Sequence, residues 1–424
     1  MAHDALQPIQ GMSDLSAPEV YLWQHMETCA RRVFGLYGFD ELRTPVLEKT
    51  AVFLRSLGDT TDIVRKEMYT FEDRGGRSLT LRPEGTAGVV RALAARGAEG
   101  LNARVFYIGP MFRCERPQAG RKRQFHQIGV EATGPSAPLA DAEVIAMQEH
   151  YLAEIGLPGA AIKVNTRGTA ADRRPVAEGL RKALEPHREA LCEDCLRRLD
   201  ENVLRVLDCK NEACADVAAE LPPMTTFMSA ESRQYLDAVL AALQRLGVRA
   251  EPDPKLVRGL DYYVHTVWEI THDALGAQNA LAGGGRYEIE IGGKPVAGVG
   301  FAMGMERLVT ALENEGVAAE QFAPEPGVWL VSLGEAALAA NLELAQRLRR
   351  AGVCTGLELE SKSLKAQMRR AGRVGLERVV IRGENELAAG TAVIKSMTDG
   401  TQEELALPEL EARLGGEFKQ TGPA

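Results

Sequence analysis

A chain of 424 residues with 45% apolar side chains predicts two or three domains with real cores and excludes general disorder. The formal net charge of -9 excludes a globally basic nucleic-acid binder, so any contact with RNA must come from local patches. Met1 to Pro8 lack a basic flank followed by an apolar core, and no apolar run reaches the length of a membrane span, which predicts a soluble, cytoplasmic protein.

Along the chain, Leu22, Met26, Cys29, Val33 and Leu36 recur at helical spacing and predict one helix from Glu19 to Leu36. Tyr37-Gly38-Phe39-Asp40 then leads into an extended run ending at Pro45. Runs at Ser78 to Leu81, Arg104 to Ile108, Gln124 to Glu131 and Val264 to Ile270 read as strands of one sheet. Pieces so far apart in sequence favour antiparallel pairing and an α+β class, a sheet flanked by helices.

Residues from about 172 to 222 mix basic and acidic side chains and read as a helical insertion in a first domain of residues 1–322. Residues 323–326 form a linker by composition, and 327–424 alternate apolar strands with helices as a small α/β domain. Its predicted elements are Val328 to Leu333, a helix from Leu338 to Ala351, Cys354 to Leu359, a helix from Lys362 to Gly372, Arg378 to Arg382 and Thr391 to Met397.

Seven cysteines in a long chain do not suggest a disulfide framework. Cys192 and Cys195, with Cys209 and Cys214, have spacing compatible with tetrahedral zinc, which would be structural and far from any chemistry. The spacing is equally open to free thiols, so no metal ligand is assigned.

Arg113, Arg258 and Arg307 each sit among glycines or aromatics. Guanidinium groups grip phosphate oxygens in pairs and keep their charge, so three of them suit a phosphate chain, although on spacing alone surface or structural ion pairs are the more common explanation of such residues. Ala297-Gly298-Val299-Gly300 and Gly283-Gly284-Gly285 lack the spacing of a dinucleotide loop, which argues against a Rossmann dehydrogenase. Gln127 and Glu131 share strand parity and would present an amide and a carboxylate on one face, and Glu84 in Leu81-Arg82-Pro83-Glu84-Gly85-Thr86 offers a further carboxylate. On a strand, Tyr262 and Tyr263 cannot both point inward. Solvated edge positions remain the alternative for each carboxylate.

These blocks resemble a known family. The helix and strand ending at Pro45, Phe112-Arg113-Cys114-Glu115, and Gly300 through Glu306-Arg307 resemble the three motifs of class II aminoacyl-tRNA synthetases in order. Arg258-Gly259-Leu260-Asp261-Tyr262-Tyr263 and Ala282-Gly283-Gly284-Gly285-Arg286-Tyr287 are similar to the blocks that mark the bacterial histidyl-tRNA synthetases, and the likeness runs from about Pro8 to Leu414. It implies a homodimer that joins L-histidine to its tRNA through histidyl-adenylate, using ATP and Mg2+.

By the same resemblance, Arg113 and Glu115 would hold the α-phosphate and the adenine, and Arg307 the γ-phosphate. Arg258 would act beside Arg113 in catalysis. Glu84, Thr86, Gln127, Glu131, Arg258, Tyr262, Tyr263 and Tyr287 would bind histidine. Arg116, Arg121 and Arg123 would meet the tRNA acceptor end, and residues 327 onward would be an anticodon-binding domain with Lys362, Lys365 and Arg369 on one helix face. The chain departs from the family in its short segment Glu288 to Gly293 and in Lys122, where an aromatic is common. The alternative is an inactive, synthetase-like regulatory subunit of an ATP phosphoribosyltransferase, but such paralogues lack the Arg258 block and the last domain. A general RNA-binding module leaves Arg258 and the tyrosines unexplained.

Overall fold

The helix Glu19–Leu36 forms where its apolar stripe predicts it, burying Leu22, Met26, Cys29 and Val33, while Leu36 at its end stays 68% exposed. In this computed structural model, residues 6–418 are described apart from 59, 60, 62, 98, 118–120, 135, 259, 261, 292, 325 and 326. Gly120 of the basic loop, Gly259 and Asp261 of the tyrosine block, and Glu325 and Pro326 of the linker therefore lie outside the described residues. The chain divides into two compact units, one up to Phe322 and one from Ala323.

In the first unit the strands are β1 (Asp40–Glu41), β2 (Leu47–Lys49), β3 (Tyr69–Glu72), β4 (Ser78–Leu81), β5 (Arg104–Phe112) and β6 (Gln124–Thr133). They continue with β7 (Ala161–Thr166), β8 (Ala250–Pro252), β9 (Tyr263–Thr271), β10 (Ala280–Ile291) and β11 (Lys294–Gly304). Eight strands make the main sheet in the order β1-β5-β6-β11-β10-β9-β7-β8. Its interior pairings are antiparallel, and only the edge pairs β1 with β5 and β7 with β8 run parallel.

Ser78 to Leu81 is a strand as expected, but it lies in a separate three-stranded sheet, β2-β4-β3, rather than in the main one. The reason is partner choice: Ser78–Leu81 pairs with Tyr69–Glu72 through a tight turn in which Asp73 accepts from the backbone of Gly75 and Arg77. Local hydrophobicity does not encode that choice. The two longest strands of the main sheet, β10 and β11, were not expected, because their glycines give little strand propensity.

One face of the main sheet is filled. Ile128, Val130, Trp268, Val299 and Phe301 form a core with the helices Glu19–Leu36, Pro138–Glu154 and Met305–Asn314. The Trp268 indole donates to Gln148 at 2.6 Å, so its polar edge is satisfied inside this core. The segment expected as an insertion carries the helices Arg173–Leu184, Glu193–Glu201 and Glu212–Glu220 around its own small core.

The second unit has strands β12 (Val328–Ser332), β13 (Thr355–Leu357), β14 (Arg378–Arg382), β15 (Thr391–Ser396) and β16 (Gln402–Ala406), in the order β13-β12-β14-β15-β16. Its helices are Glu335–Arg350, Leu364–Val374, Glu384–Ala389 and Leu407–Glu417. The basic helix begins at Leu364, after the capping Ser363, so Lys362 precedes it and does not share its face. No helix among the described residues is long and apolar enough to cross a membrane.

Candidate active site

The pleat of the main sheet builds the site. Cross-strand register places Glu131 opposite Gly300, Gln127 opposite Gly304, Gly300 opposite Gly285, and Ala302 opposite Gly283. Gly283 in turn faces Glu269, and Tyr287 faces Tyr263. Paired residues share a face, so acceptors and aromatic rings gather on the face opposite Trp268 and Phe301. Glycine keeps that face hollow. A Cβ at Gly283 would overlap the Arg258 guanidinium, one at Gly285 the Tyr263 ring, and one at Gly300 the Glu131 carboxylate.

In the hollow, Glu131 is 1% exposed and its Oε2 has no hydrogen-bond partner. Burial pushes its carboxyl up to about 8; the Thr86 and Tyr287 hydroxyls pull it down and the Glu84 charge adds to the rise. The Tyr287 hydroxyl leans towards Glu131 without completing a hydrogen bond of good geometry, and it too is buried and unpartnered. Gln127 Oε1, Tyr107 Oη and Arg258 Nε share that condition. An unmade hydrogen bond costs roughly 1–3 kcal/mol per buried group. Five such groups gather in and around one hollow.

Glu84 is held differently. Its two carboxylate oxygens accept from the backbone N–H groups of Thr86 and Ala87, both at 2.8 Å, which caps the helix Thr86–Ala95. Burial raises its pKa against these donors. Tyr262 and Tyr263 are both buried in one cluster with Tyr287, their rings 4.8 Å apart edge to face. The period-two rule does not separate them because β9 begins at Tyr263, leaving Tyr262 in the preceding turn.

A cavity of about 480 Å³ opens in front of this hollow and is lined by Arg113, Arg258, Arg307, Glu115, Gln127 and Gly283, among others. The three predicted arginines thus come together from the end of β5, the segment before β9 and the helix after β11. Arg113 donates to the Pro83 carbonyl at 2.9 Å and lies over the Phe125 ring at 5.1 Å. Arg258 donates to Glu269 at 2.7 Å. Arg307 donates to the Ala280 carbonyl at 2.6 Å; burial lowers its pKa, and the charge of Arg121 lowers it further. Arg121 stands 3.3 Å from Glu115.

The other basic residues are placed unequally. Arg116 is exposed, whereas Arg123 donates to the backbone carbonyls of Glu115 and Gln10, at 3.2 and 3.4 Å, and so ties the N-terminal segment to the loop. Lys122 reaches Ser13 at 3.0 Å. In the second unit Lys365 and Arg369 are exposed on their helix, and Lys362 pairs with Glu360 at 2.6 Å. The short segment after Tyr287 continues β10 to Ile291, which pairs with Lys294 of β11.

Sequence reasoning missed several groups. Tyr107 lies against Gly85 and Gly129, where a side chain would strike its ring, a juxtaposition that no neighbouring run of the sequence encodes. Glu269 had no signal either, and Glu306, although it stands in the third motif, was given no role. Glu306 accepts from the His126 backbone N–H at 3.0 Å and borders the cavity. Arg205 and Asp208 of the insertion also border it, so the cysteine-bearing segment expected far from the chemistry reaches the site.

A glycine-hollowed antiparallel sheet with converging guanidinium groups, carrying the three motifs in order, is the catalytic unit of a class II aminoacyl-tRNA synthetase. Residues 11–308 match the family profile described as Histidyl-tRNA synthetase, and 328–416 match that of the Anticodon binding domain. The chain is 45% identical to a histidine–tRNA ligase of Halothermothrix orenii, over 95% of this chain and 97% of that one. It is 47% identical to one of Anaeromyxobacter dehalogenans, over 96% and 99%. The crystal structure of the apo histidyl-tRNA synthetase of S. aureus superposes with a TM-score of 0.80 at 33% identity, covering 97% of this chain and 100% of that one. The chain belongs to the histidyl-tRNA synthetase family.

Proposed function

We propose that the hollow holds L-histidine and the arginine-lined cavity holds ATP, and that the enzyme joins them and then charges the cognate tRNA. A histidine carboxylate oxygen attacks the α-phosphorus, the bond to the bridging oxygen breaks, and pyrophosphate leaves with that electron pair. A terminal ribose hydroxyl of the tRNA then attacks the acyl carbon and AMP departs. No covalent bond to the enzyme is needed, so the protein works by orientation and by fixed positive charge.

The observation that carries this reading is the convergence of Arg113, Arg258 and Arg307 on one cavity that the unpaired Gln127 also lines, with the unpaired Glu131 and Tyr287 buried on the same face of the sheet. Arg113 and Arg258 stand for the α-phosphate, Arg307 for the γ-phosphate and Glu115 for the adenine amino group. Glu131 and the hydroxyls of Tyr263 and Tyr287 suit an imidazole, whose two nitrogens would satisfy groups that are otherwise unpaired. Glu84, Thr86 and Gln127 suit the ammonium group, and Tyr262 backs the pocket wall.

Magnesium enters with ATP, and the carboxylates of Glu67, Glu115, Asp208 and Glu306 at the cavity are the hard oxygen donors that could face it. When bound, it neutralises charge on the leaving pyrophosphate. Arg116, Arg121 and Arg123 would meet the acceptor end, and Lys365 and Arg369, with Lys362 from just outside their helix, the anticodon region. The motif formed by Glu19 to Pro45 supports a homodimer.

A regulatory histidine-binding subunit would have no use for three phosphate-suited arginines and a second unit, so that reading is the weaker one. The test is histidine-dependent exchange of pyrophosphate into ATP by the purified protein. Exchange with histidine and with no other amino acid is expected; histidine binding without exchange would move the assignment to the regulatory subunit.

A further inference from the structure

The insertion gathers the sulfurs of Cys192, Cys195, Cys209 and Cys214 within 4.8 Å of one another. Four sulfurs about 2.3 Å from one tetrahedral metal stand roughly 3.8 Å apart. The Cys192 and Cys209 sulfurs are 3.8 Å apart, and no disulfide joins any of the four. The geometry points to a single zinc ion bound by these four thiolates, a site that holds the Val203–Lys210 loop and through it the insertion's edge of the reaction cavity.

Three features around the sulfurs fit a metal centre. The backbone N–H of Cys192 donates to the Cys214 sulfur at 3.2 Å, the kind of outer hydrogen bond that stabilises a bound thiolate. The Arg198 guanidinium lies against Cys195, where it would offset part of the surplus negative charge of four thiolates on a divalent cation. The same guanidinium donates to the Arg205 carbonyl at 3.3 Å, linking the sulfurs to the loop.

The insertion also has reason to need such a staple. Its core is small, and two of its members are Cys195 and Cys214 themselves. Val257 completes that core from the residue before Arg258, and Arg65, beside the cavity residue Ile63, stands 3.6 Å from Glu201 of the insertion. Between the cysteine pairs, Arg205 and Asp208 border the cavity that also holds Arg113, Arg258 and Arg307. A metal at the cysteines therefore fixes the spacing between the cavity wall and the Arg258 segment.

The metal site stands apart from the proposed reaction, whereas its effect on ATP rests on that reading. The full-length protein, purified reduced and without chelator, is expected to carry one zinc per chain by elemental mass spectrometry. Cobalt reconstitution is expected to give the absorption of a tetrahedral tetrathiolate. Cys192→Ser and Cys209→Ser should each lose the metal, whereas Cys354→Ser, a change in the other unit, should keep it. Wild-type protein that takes up neither metal while its thiols titrate as free, or that contains a Cys192–Cys209 disulfide, overturns the site.

For the coupling, zinc removal and Arg205→Ala should each raise the KM for ATP in histidine-dependent exchange by about tenfold, the loss of one charge-assisted contact. Zinc removal should also speed proteolysis within residues 172–222. An unchanged KM with unchanged proteolysis after zinc removal overturns the link to the cavity. Exchange by the zinc-loaded wild type tests the proposed reaction separately.

Discussion

Arg258 and Glu269 are joined across the rim of the cavity by a 2.7 Å ion pair, with glycine at position 283 leaving room for the guanidinium between them. The pair fixes one nitrogen of Arg258 and leaves its buried Nε without a partner. A guanidinium anchored in this way is preoriented, so it need not reorganise as charge grows on a phosphate.

Removing it should therefore act on the chemical step. Arg258→Ala is expected to lower histidine-dependent pyrophosphate exchange by about 10³-fold or more, with histidine binding by calorimetry changed only a few-fold. Near-normal exchange would show that another group neutralises the α-phosphate.

Gly283→Ala should reproduce much of that defect without touching Arg258's chemistry. The three atoms that the added methyl would meet first all belong to the far end of the Arg258 side chain, which can swing away, so the fold is kept while the guanidinium is displaced. Exchange should fall by roughly tenfold to a hundredfold, as one misplaced group allows, with an unchanged circular dichroism spectrum. A large drop in melting temperature would point to a packing defect instead.

Glu131 gives the free enzyme a pH signature. Its folded pKa of about 8 lies above the 4.5 of an ordinary glutamate, so between these values the folded state holds a proton that the unfolded chain has lost. Stability falls as pH rises through that window and levels off above it. Glu131→Gln is expected to flatten this slope in melting temperature against pH and to weaken histidine binding. An equal slope in wild type and variant would assign the titration elsewhere.

The buried pair of Arg286 and Asp141 should matter for stability. Asp141 accepts from Arg286 at 2.8 and 2.5 Å, from Thr266 at 2.6 Å and from Tyr235 at 3.1 Å, with Asp141 and Arg286 0% and 1% exposed. Asp141→Ala strands a buried cation, and chemical denaturation is expected to show a loss of about 3–5 kcal/mol. A loss under 1 kcal/mol would mean that water or Tyr235 takes over the carboxylate's role.

The second unit should separate RNA binding from activation. Lys365→Glu with Arg369→Glu reverses two exposed charges on one helix face, so tRNA affinity should fall and its salt dependence become shallower. Histidine-dependent exchange should stay at the wild-type rate. Equal charging of tRNA by the double variant at all salt concentrations would remove this face from the interface.

How far the site was legible depended on whether its cause was local. The helix Glu19–Leu36 was readable because burial repeats every three or four residues, and Gln127 with Glu131 because strand parity places them together. Tyr107 and Glu269 were not, because what matters about them is a neighbour on another strand. The glycines of β10 stood out in the sequence as a run without the spacing of a dinucleotide loop, and in the fold they are strand residues emptied to admit Arg258 and Tyr263.

The sequence by itself determined the family, the main helices and the residue types of the site, since motif order, periodicity and charge are properties of neighbours along the chain. Only the tertiary structure decided that Ser78–Leu81 pairs outside the main sheet, that Tyr262 joins Tyr263 in one cluster, that Lys362 leaves its helix, that four cysteines gather, and that Arg205 and Asp208 between them border the cavity. Each of these depends on register or close packing between distant segments, a choice made by the complementary surfaces of the folded chain.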